Sequence, residues 1–125
     1  MIFRKKILIG WNAKKAEFFL CKNVFSKFCG LMFSRKKNLF FVFNSEKIVS
    51  LHMFFVFYPI LVIFVNKKNI VVEKVFLRPF EIYVPKNKAI YVLEIAVDDD
   101  VKNFSKIKVG DSIKIFDNKK NIRKI

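Results

Sequence analysis

The chain is poor in glycine and proline, which bend the backbone, and in cysteine and histidine, which form disulfides and bind metals. Its 125 residues include three glycines, three prolines, two cysteines and one histidine. So few glycines and prolines argue against low-complexity linkers, and the sequence contains neither an internal repeat nor a domain boundary. We therefore expect a single domain over residues 1–125, long enough to bury a hydrophobic core.

Cysteine and histidine are too sparse to indicate metal chemistry. Cys21, Cys29 and His52 could supply three zinc ligands, but none of the paired spacings typical of zinc sites is present. Two free thiols are the default in a reducing compartment. We expect no bound metal and no cofactor.

A nucleophilic pair of Cys29 and His52 is the route by which this chain would be an enzyme. Cys29 lies just before Gly30, at the predicted C-terminal end of a helix, where the helix dipole raises the pKa of a thiol. No phosphate-binding loop and no paired carboxylates occur. A hydrolase or transferase of unknown substrate therefore stays an alternative, and the prediction leans towards no enzyme.

The N-terminus lacks the core of a signal peptide. In MIFRKKILIG the basic start is followed by a very short apolar segment. We therefore predict a cytoplasmic protein.

The longest apolar run, Ile48–Val65, decides between a membrane protein and a globular one. It has 18 residues, interrupted by a serine, a histidine and Pro59, whereas a membrane helix needs about 20. Valine, isoleucine and aromatic residues dominate it, which favours strands, and Pro59 would remove a donor from a helix. We interpret it as two buried strands, Val49–Phe55 and Ile60–Val65, that form the central strand pair; a membrane span is the alternative.

The charge is strongly one-sided, with 25 basic residues against 10 acidic ones and a net charge of +15. Such a surface attracts nucleic acid, anionic lipid or an acidic partner. However, lysine, phenylalanine, isoleucine and asparagine make up 63 residues and share A/T-rich codons, so genome bias could supply both the charge and the phenylalanines. Lysine also outnumbers arginine 21 to 4, although arginine is the residue that makes bidentate contacts with phosphates and bases. Nucleic-acid binding is therefore weighed against non-specific attraction at low salt.

Hydrophobic alternation and turn residues predict a mainly β (α+β) fold, a compact, largely antiparallel barrel-like sheet with one or two short helices. The predicted helices are Val24–Cys29 and a segment from Asp98–Asp100, which would supply its N-cap, to Ser105. Turns are expected at Trp11–Lys15, Asn44–Lys47, Asn66–Asn69 and Lys108–Asp111. The predicted strands are Met1–Gly10, Ala16–Cys21, Leu39–Phe43, Val49–Phe55, Ile60–Val65, Ile70–Phe76, Ala89–Val97 and Ser112–Phe116.

Glu94 is the most interesting carboxylate. In the strand that contains it, Tyr91, Leu93 and Ile95 face one side of the sheet. Glu94 faces the other side, and the simpler interpretation is an outward position. If it pointed inward, it would need a partner such as Arg78.

Seven motifs in order resemble the domain of unknown function 192 family, also called uncharacterised protein family 0127. The resemblance covers about residues 5–116 and implies a small, mainly β, barrel-like domain with no established activity. The motifs are GLMF at Gly30–Phe33, LFFVF at Leu39–Phe43, HMFFVFYPILVIFVN at His52–Asn66, VVE at Val71–Glu73, Pro79, VLE at Val92–Glu94 and KVGD at Lys108–Asp111.

The chain departs from this family's pattern at three polar positions. The basic residue that usually follows GLMF comes one step late, at Ser34–Arg35. The usual Trp-Met-Lys-Asn segment is replaced by His52–Met53–Phe54–Phe55, and Leu61 stands where an acidic residue is usual. The resemblance therefore implies that any shared polar pocket is altered here.

The leading interpretation is a non-enzymatic binding module with an aromatic-rich face or pocket. Its expected lining is Met32, His52, Arg78 and Glu94, although a partly exposed histidine on a sheet face is the simpler interpretation of His52. Nucleic-acid binding through a basic surface is the alternative partner interaction. The many phenylalanines also make self-association a candidate.

Overall fold

The computed structural model of the chain describes residues 6–22, 36–52 and 57–116. Nine strands and one helix lie within these ranges. In chain order they are β1 (Lys6–Trp11), β2 (Lys14–Cys21), β3 (Leu39–Lys47), β4 (Leu51–His52), β5 (Ile60–Val65), β6 (Val71–Leu77), β7 (Ile82–Tyr83), β8 (Ala89–Ile95), α1 (Asp98–Phe104) and β9 (Lys114–Phe116).

Seven strands form one sheet, in the order β6-β5-β8-β3-β2-β1-β9. Neighbouring strands are antiparallel except β2 and β3, which run parallel. The short strands β4 and β7 form a separate antiparallel pair. The mainly β prediction is therefore confirmed, with the refinement that the large sheet is mixed.

The sheet curls until its two edges approach each other. Ile70, just before β6, forms an antiparallel bridge with Ser112, just before β9. Val71 N donates to the Asp111 carbonyl at 2.8 Å, and Gly110 N donates to the Val71 carbonyl at 2.8 Å. Gly110 has a φ of 100°, a conformation that glycine adopts without strain. The result is a half-barrel, as the barrel-like prediction expected.

Two apolar clusters cover the two faces of the central strands. In β8, Leu93 belongs to the cluster inside the curl, together with Phe18 and Phe40. Val92 belongs to a second cluster on the outer face, which includes Leu51 of the small sheet. Because both faces are covered, every residue of β5 is buried, and each large side chain so buried contributes about 1.5–3 kcal/mol.

The apolar run Ile48–Val65 is divided between two sheets. Ile60–Val65 is a fully buried strand, as predicted. The prediction of a central strand pair is wrong, because β5 pairs with β6 and β8 whereas Leu51–His52 pairs with β7. Both edges of β5 are thus already occupied. Across the described ranges, no helix has the length and apolar character needed to cross a membrane.

Turn predictions were correct where asparagine and glycine set the backbone. The Asn66–Asn69 turn joins β5 to β6. The helix α1 was also predicted, but its N-cap was not: the aspartates form its first turn, and the N-cap is Val97, with no side-chain hydrogen bond. The predicted turn at Asn44–Lys47 is wrong, since these residues extend β3 and Lys47 pairs with Ala89 beyond an irregularity. The predicted helix Val24–Cys29 lies outside the described residues.

Asn38 holds three elements together just before β3. It is 3% exposed, and its Oδ1 accepts hydrogen bonds from Ala96 N at 3.0 Å and Val97 N at 3.1 Å. Its Nδ2 donates to the Glu17 carbonyl at 3.2 Å and to Asp100 Oδ2 at 2.8 Å. All of its hydrogen-bonding atoms are therefore used, which removes the penalty of burying an amide.

Candidate functional site

Of the four side chains expected to line a pocket, the structure describes those of Arg78 and Glu94, and these two lie in different surroundings. Arg78 is at the surface, with its side chain 81% exposed and an Nη2 to Glu81 Oε2 distance of 3.2 Å. Glu94 is in the interior, 6% exposed. Met32 and the side chain of His52 lie outside the described residues. The structure therefore does not bring Arg78 to Glu94, and the four-residue lining stays a prediction.

Glu94 contradicts the outward interpretation made from the strand pattern. Its cross-strand neighbours are Leu39 and Val62, and both belong to the second apolar cluster. Alternation placed Glu94 on the correct side of the sheet, but that side is covered rather than solvated. The carboxylate is therefore a buried polar group within an apolar layer, where charged groups are rare.

Two further polar groups lie close enough to Glu94 to be affected by its charge. Burial, followed by the charge of Glu94, raises the pKa of the Cys21 thiol to about 12, and Lys37 partly opposes these two effects. Burial, followed by Glu94, also raises the pKa of Tyr58. The Tyr58 hydroxyl is buried and has no hydrogen-bond partner within the described part of the chain. At neutral pH these groups are a thiol and a phenol, not a thiolate or phenolate.

Glu73 is a second buried carboxylate, and it has a structural role. It accepts hydrogen bonds from the Tyr83 hydroxyl, Lys86 N at 2.9 Å, Asn87 N at 3.0 Å and Asn87 Nδ2 at 3.0 Å. Burial raises its pKa, but the bonds from Tyr83, Asn87 and Lys86 outweigh burial and leave the pKa below the ordinary value. The hydrogen bond between Tyr83 and Glu73 is in turn the main reason that the pKa of the Tyr83 hydroxyl is raised to about 12. The carboxylate thus anchors the segment before β8 onto β6.

A cleft of about 410 Å³ opens where the β1–β2 turn meets β9. The turn is shaped by Asn12, whose φ is 55°. A Cβ at Gly10 would lie 3.5 Å from the nearest atom of the Phe116 ring, an ordinary van der Waals contact, so the ring lies close beside the glycine. We call this the basic cleft, and it is lined by Gly10, Trp11, Asn12, Lys15, Ser112, Lys114 and Phe116.

Two lysines give the cleft its charge. Lys15 on β2 and Lys114 on β9 are the cross-strand partners of Gly10 on its two sides. Lys15 Nζ lies 5.5 Å from the centroid of the Phe116 ring, within the range of a cation–π contact. The arrangement combines two ammonium groups with an aromatic wall, which suits an anion that carries an apolar or planar part.

Sequence reasoning missed this cleft because its lysines are far apart in the chain. Lys15 belongs to a doublet that was assigned to a turn, and Lys114 to a strand named only by its bounds. Their approach follows from the pairing of β1 with both β2 and β9, which no local pattern contains. The available signal was Gly10 near the end of an apolar strand, where glycine marks a close approach.

Metal binding finds no support in the described ranges, which hold no group of three or more histidine, cysteine, aspartate or glutamate side chains placed for an ion. Cys21 is a free, buried thiol. Cys29, which was considered both as a zinc ligand and as a nucleophile, lies outside the described residues.

Sequence comparisons connect the chain to curated relatives. A UPF0127 protein of Thermococcus sibiricus is 38% identical over 93 residues, which cover 71% of this chain and 59% of that protein. A UPF0127 protein of Pyrococcus horikoshii is 31% identical over 119 residues, covering 93% of this chain and 99% of that protein. The match thus spans about three fifths of the first relative and nearly all of the second.

Solved structures share the fold. A protein of Sinorhizobium meliloti, described as a proposed transcription regulator, superposes with a TM-score of 0.74 at 19% identity over 92% of this chain and 96% of the other. A protein of unknown function from Novosphingobium aromaticivorans gives a TM-score of 0.70 at 19% identity over 87% and 83%. The DUF192 profile, described as Uncharacterized ACR, matches residues 8–115. With the UPF0127 relatives, this match means that the chain belongs to the DUF192 (UPF0127) family.

Proposed function

We propose that this chain is a non-enzymatic binding module that holds a polyanionic ligand in the basic cleft. The observation that carries the proposal is the position of Lys15 and Lys114 on the two strands that flank Gly10. Two ammonium groups beside one concave surface attract phosphate-like oxygens. The Phe116 ring forms part of the cleft wall, and low-dielectric walls strengthen the attraction between charges.

The wider charge distribution supports a polyanion over a single small anion. The net charge of +15 produces a field that reaches beyond the cleft and raises the local concentration of negative ligands. Asp111, which precedes the cleft residue Ser112 in the chain, is already engaged in hydrogen bonds. Its Oδ2 accepts hydrogen bonds from Trp11 Nε1 at 3.0 Å and Lys108 N at 2.9 Å, so part of its charge is offset.

The state of the reactive side chains favours binding over catalysis. The Cys21 thiol is 1% exposed, and its pKa of about 12 keeps it protonated, which makes it a poor nucleophile. Glu73 is occupied by the bonds that fasten the segment before β8. Neither Cys21 nor Glu73 lines the basic cleft, so within the described ranges these two groups are separate from the ligand site.

Calorimetric titration with long-chain inorganic polyphosphate near physiological salt tests the proposal. The double variant Lys15→Gln/Lys114→Gln should bind about tenfold more weakly, the equivalent of roughly 1.4 kcal/mol for two lost charge contacts. The matched control is Lys86→Gln/Lys88→Gln, which removes the same charge from exposed lysines before β8. Its affinity should fall by less than about threefold, because only the general field changes.

Two results would reject the proposal. One is the absence of polyphosphate binding near physiological salt, which would mean that the charge causes only low-salt attraction. The other is an equal loss of affinity in both double variants, which would mean that the cleft is no better than the rest of the surface. Thermal unfolding of each variant establishes that it is folded before binding is compared.

A further inference from the structure

We infer that the polyanion is a single-stranded nucleic acid, which runs from the basic cleft across the outer face of β9, β1 and β2. The inference rests on the proposed function, because it extends the cleft into a longer track and names the chemistry of its ligand. We call this track the basic face. The residues that define it are Lys6, Lys15, Phe19, Lys114 and Phe116.

Strand register places these side chains on one surface. Lys6 is directly opposite Phe19, and Gly10 is opposite both Lys15 and Lys114. Residues directly opposite each other in a sheet point to the same side. The intervening residues of these strands are buried in the cluster inside the curl; Ile7, Ile9, Ala16, Phe18 and Ile115 are its members. The basic face is therefore the solvent side of the same three strands.

Lysines and aromatic rings are interleaved on the basic face. Lys15 Nζ lies 5.5 Å from the Phe116 ring centroid. The Phe19 ring has two cations, with Lys6 Nζ at 5.4 Å and Lys37 Nζ at 5.2 Å. Both rings are partly exposed. A base that stacks on either ring would take the place of the ammonium group over that face, and the lysine would then contact the phosphate beside the base, as in sheets that bind single strands.

The spacing of the two rings matches a short stretch of nucleic acid. Phe116 and Phe19 are two strands apart and offset by one step of two residues along β1. Strand spacing of about 4.8 Å and a rise of about 3.3 Å per residue separate the two positions by roughly 12 Å. At about 3.4 Å per stacked nucleotide, this corresponds to three or four nucleotides.

The rings favour a single strand over other polyanions. In a duplex the faces of the bases are already stacked on each other, so protein rings add little, whereas an open strand presents every base to them. Anionic lipid and acidic protein would interact with the lysines alone and would make no use of the aromatic rings. Among the described residues of these strands, Glu17, opposite Leu8, is the acidic residue on this face, against the three lysines that define it and Lys37 beside the Phe19 ring. With lysine and no arginine among its defining cations, the face should bind with little sequence preference.

Fluorescence anisotropy with a labelled oligothymidylate is the deciding experiment. Phe116→Leu and Phe19→Leu should each weaken binding about tenfold with little change in the dependence on salt, because stacking is lost and charge is kept. The matched control is Phe76→Leu, which removes an exposed ring (53% exposed) on β6 and should leave affinity within about twofold. Polyphosphate titrations of the same variants should change by less than about twofold, because leucine keeps the wall of the cleft apolar and no charge is removed. Thermal unfolding reports whether each variant is folded.

The outcomes separate the two proposals. If polyphosphate binds in the cleft but both ring variants bind oligothymidylate as tightly as the unchanged protein, the nucleic-acid inference fails and the polyanion proposal stands. A duplex of equal length that competes as well as the single strand also overturns the inference, as does tighter binding to vesicles rich in anionic lipid. If neither polyphosphate nor oligothymidylate binds near physiological salt, both proposals fall. Two ring variants keep the test valid if one of them does not fold.

Discussion

Glu73 demonstrates, at the scale of one residue, how a buried carboxylate can serve structure without chemistry. It is 9% exposed, and its two oxygens are filled by donors from Tyr83, Lys86 and Asn87. Because these donors prefer a negative acceptor, they hold its pKa below 4.5 despite burial. The short strand β7 and the loop before β8 are thereby fixed to β6.

The substitution Glu73→Gln should destabilise the fold by about 1–3 kcal/mol at pH 7, because an amide nitrogen would face donors. Since the folded-state pKa of Glu73 is lowered, the carboxylate's stabilisation is full above about pH 4.5 and is lost as pH falls through the lowered pKa. Urea denaturation from pH 7 to pH 3 should therefore show the difference between the two proteins shrinking with acid.

A difference that stays constant down to pH 3 would mean that the donors do not depend on the charge of Glu73. The matched control is Glu17→Gln on β2, an exposed glutamate. It should stay within about 0.5 kcal/mol of the unchanged protein at pH 7, as is usual for surface substitutions.

At the scale of elements, local patterns predicted most strands and failed where pairing is non-local. The predicted alternation of Tyr91–Ala96 was correct, with Leu93 and Val92 in opposite clusters, but it does not extend back to Ala89, which lies in the same cluster as Val92. The Asn44–Lys47 segment was misassigned because polar residues near a strand end resemble a turn. Strand β7 was missed, since it has only two residues between prolines. The parallel pairing of β2 with β3 also leaves no mark in either strand's own pattern.

The site was harder to predict than the fold for the same reason. Alternation tells which side of a sheet Glu94 faces, but not that β4 and the second apolar cluster cover that side. The basic cleft needs Lys15 and Lys114 to meet across β1, and their separation in sequence hides this contact. Local chemistry predicted elements, whereas both sites depend on how elements are assembled.

The turn between β5 and β6 provides a test at this scale. Asn69 has a φ of 65°, and Asn66 Oδ1 accepts from Lys68 N at 2.9 Å and Ile70 N at 3.0 Å. Asn69→Val should destabilise the fold by about 1–2 kcal/mol in urea denaturation, because a β-branched residue is strained in the left-handed region. Asn69→Gly should be close to neutral, since glycine is free of this strain.

The control for this pair is Asn44→Val, at an exposed position on β3 where valine suits a strand and should not destabilise. If Asn69→Val were as stable as the unchanged protein, the turn would have another conformation than the one described. If Asn69→Gly were as unstable as the valine variant, a lost side-chain contact would be responsible rather than the backbone.

The net charge of +15 dominates the behaviour of the whole molecule. Ion pairs in the described parts include Lys36 with Asp98 at 3.1 Å and Arg78 with Glu81 at 3.2 Å, and both lie at the surface. Surface pairs of this kind contribute about 0–1 kcal/mol each. The remaining lysines repel one another in the compact state more than in an expanded chain. Folding is therefore opposed by self-repulsion, which the two apolar clusters must overcome.

Screening this repulsion should stabilise the fold. Raising NaCl from about 0.01 M to 0.15 M shortens the Debye length from about 30 Å to 8 Å, so the thermal unfolding midpoint should rise by several degrees. The Lys86→Gln/Lys88→Gln variant has less charge to screen, so its midpoint should start higher and respond less to salt. Because a bound polyanion neutralises the same lysines, saturating polyphosphate at low salt should raise the midpoint as well. A midpoint that fell with NaCl would mean that attractive pairs outweigh repulsion, and the field invoked for ligand capture would then be local to the basic cleft.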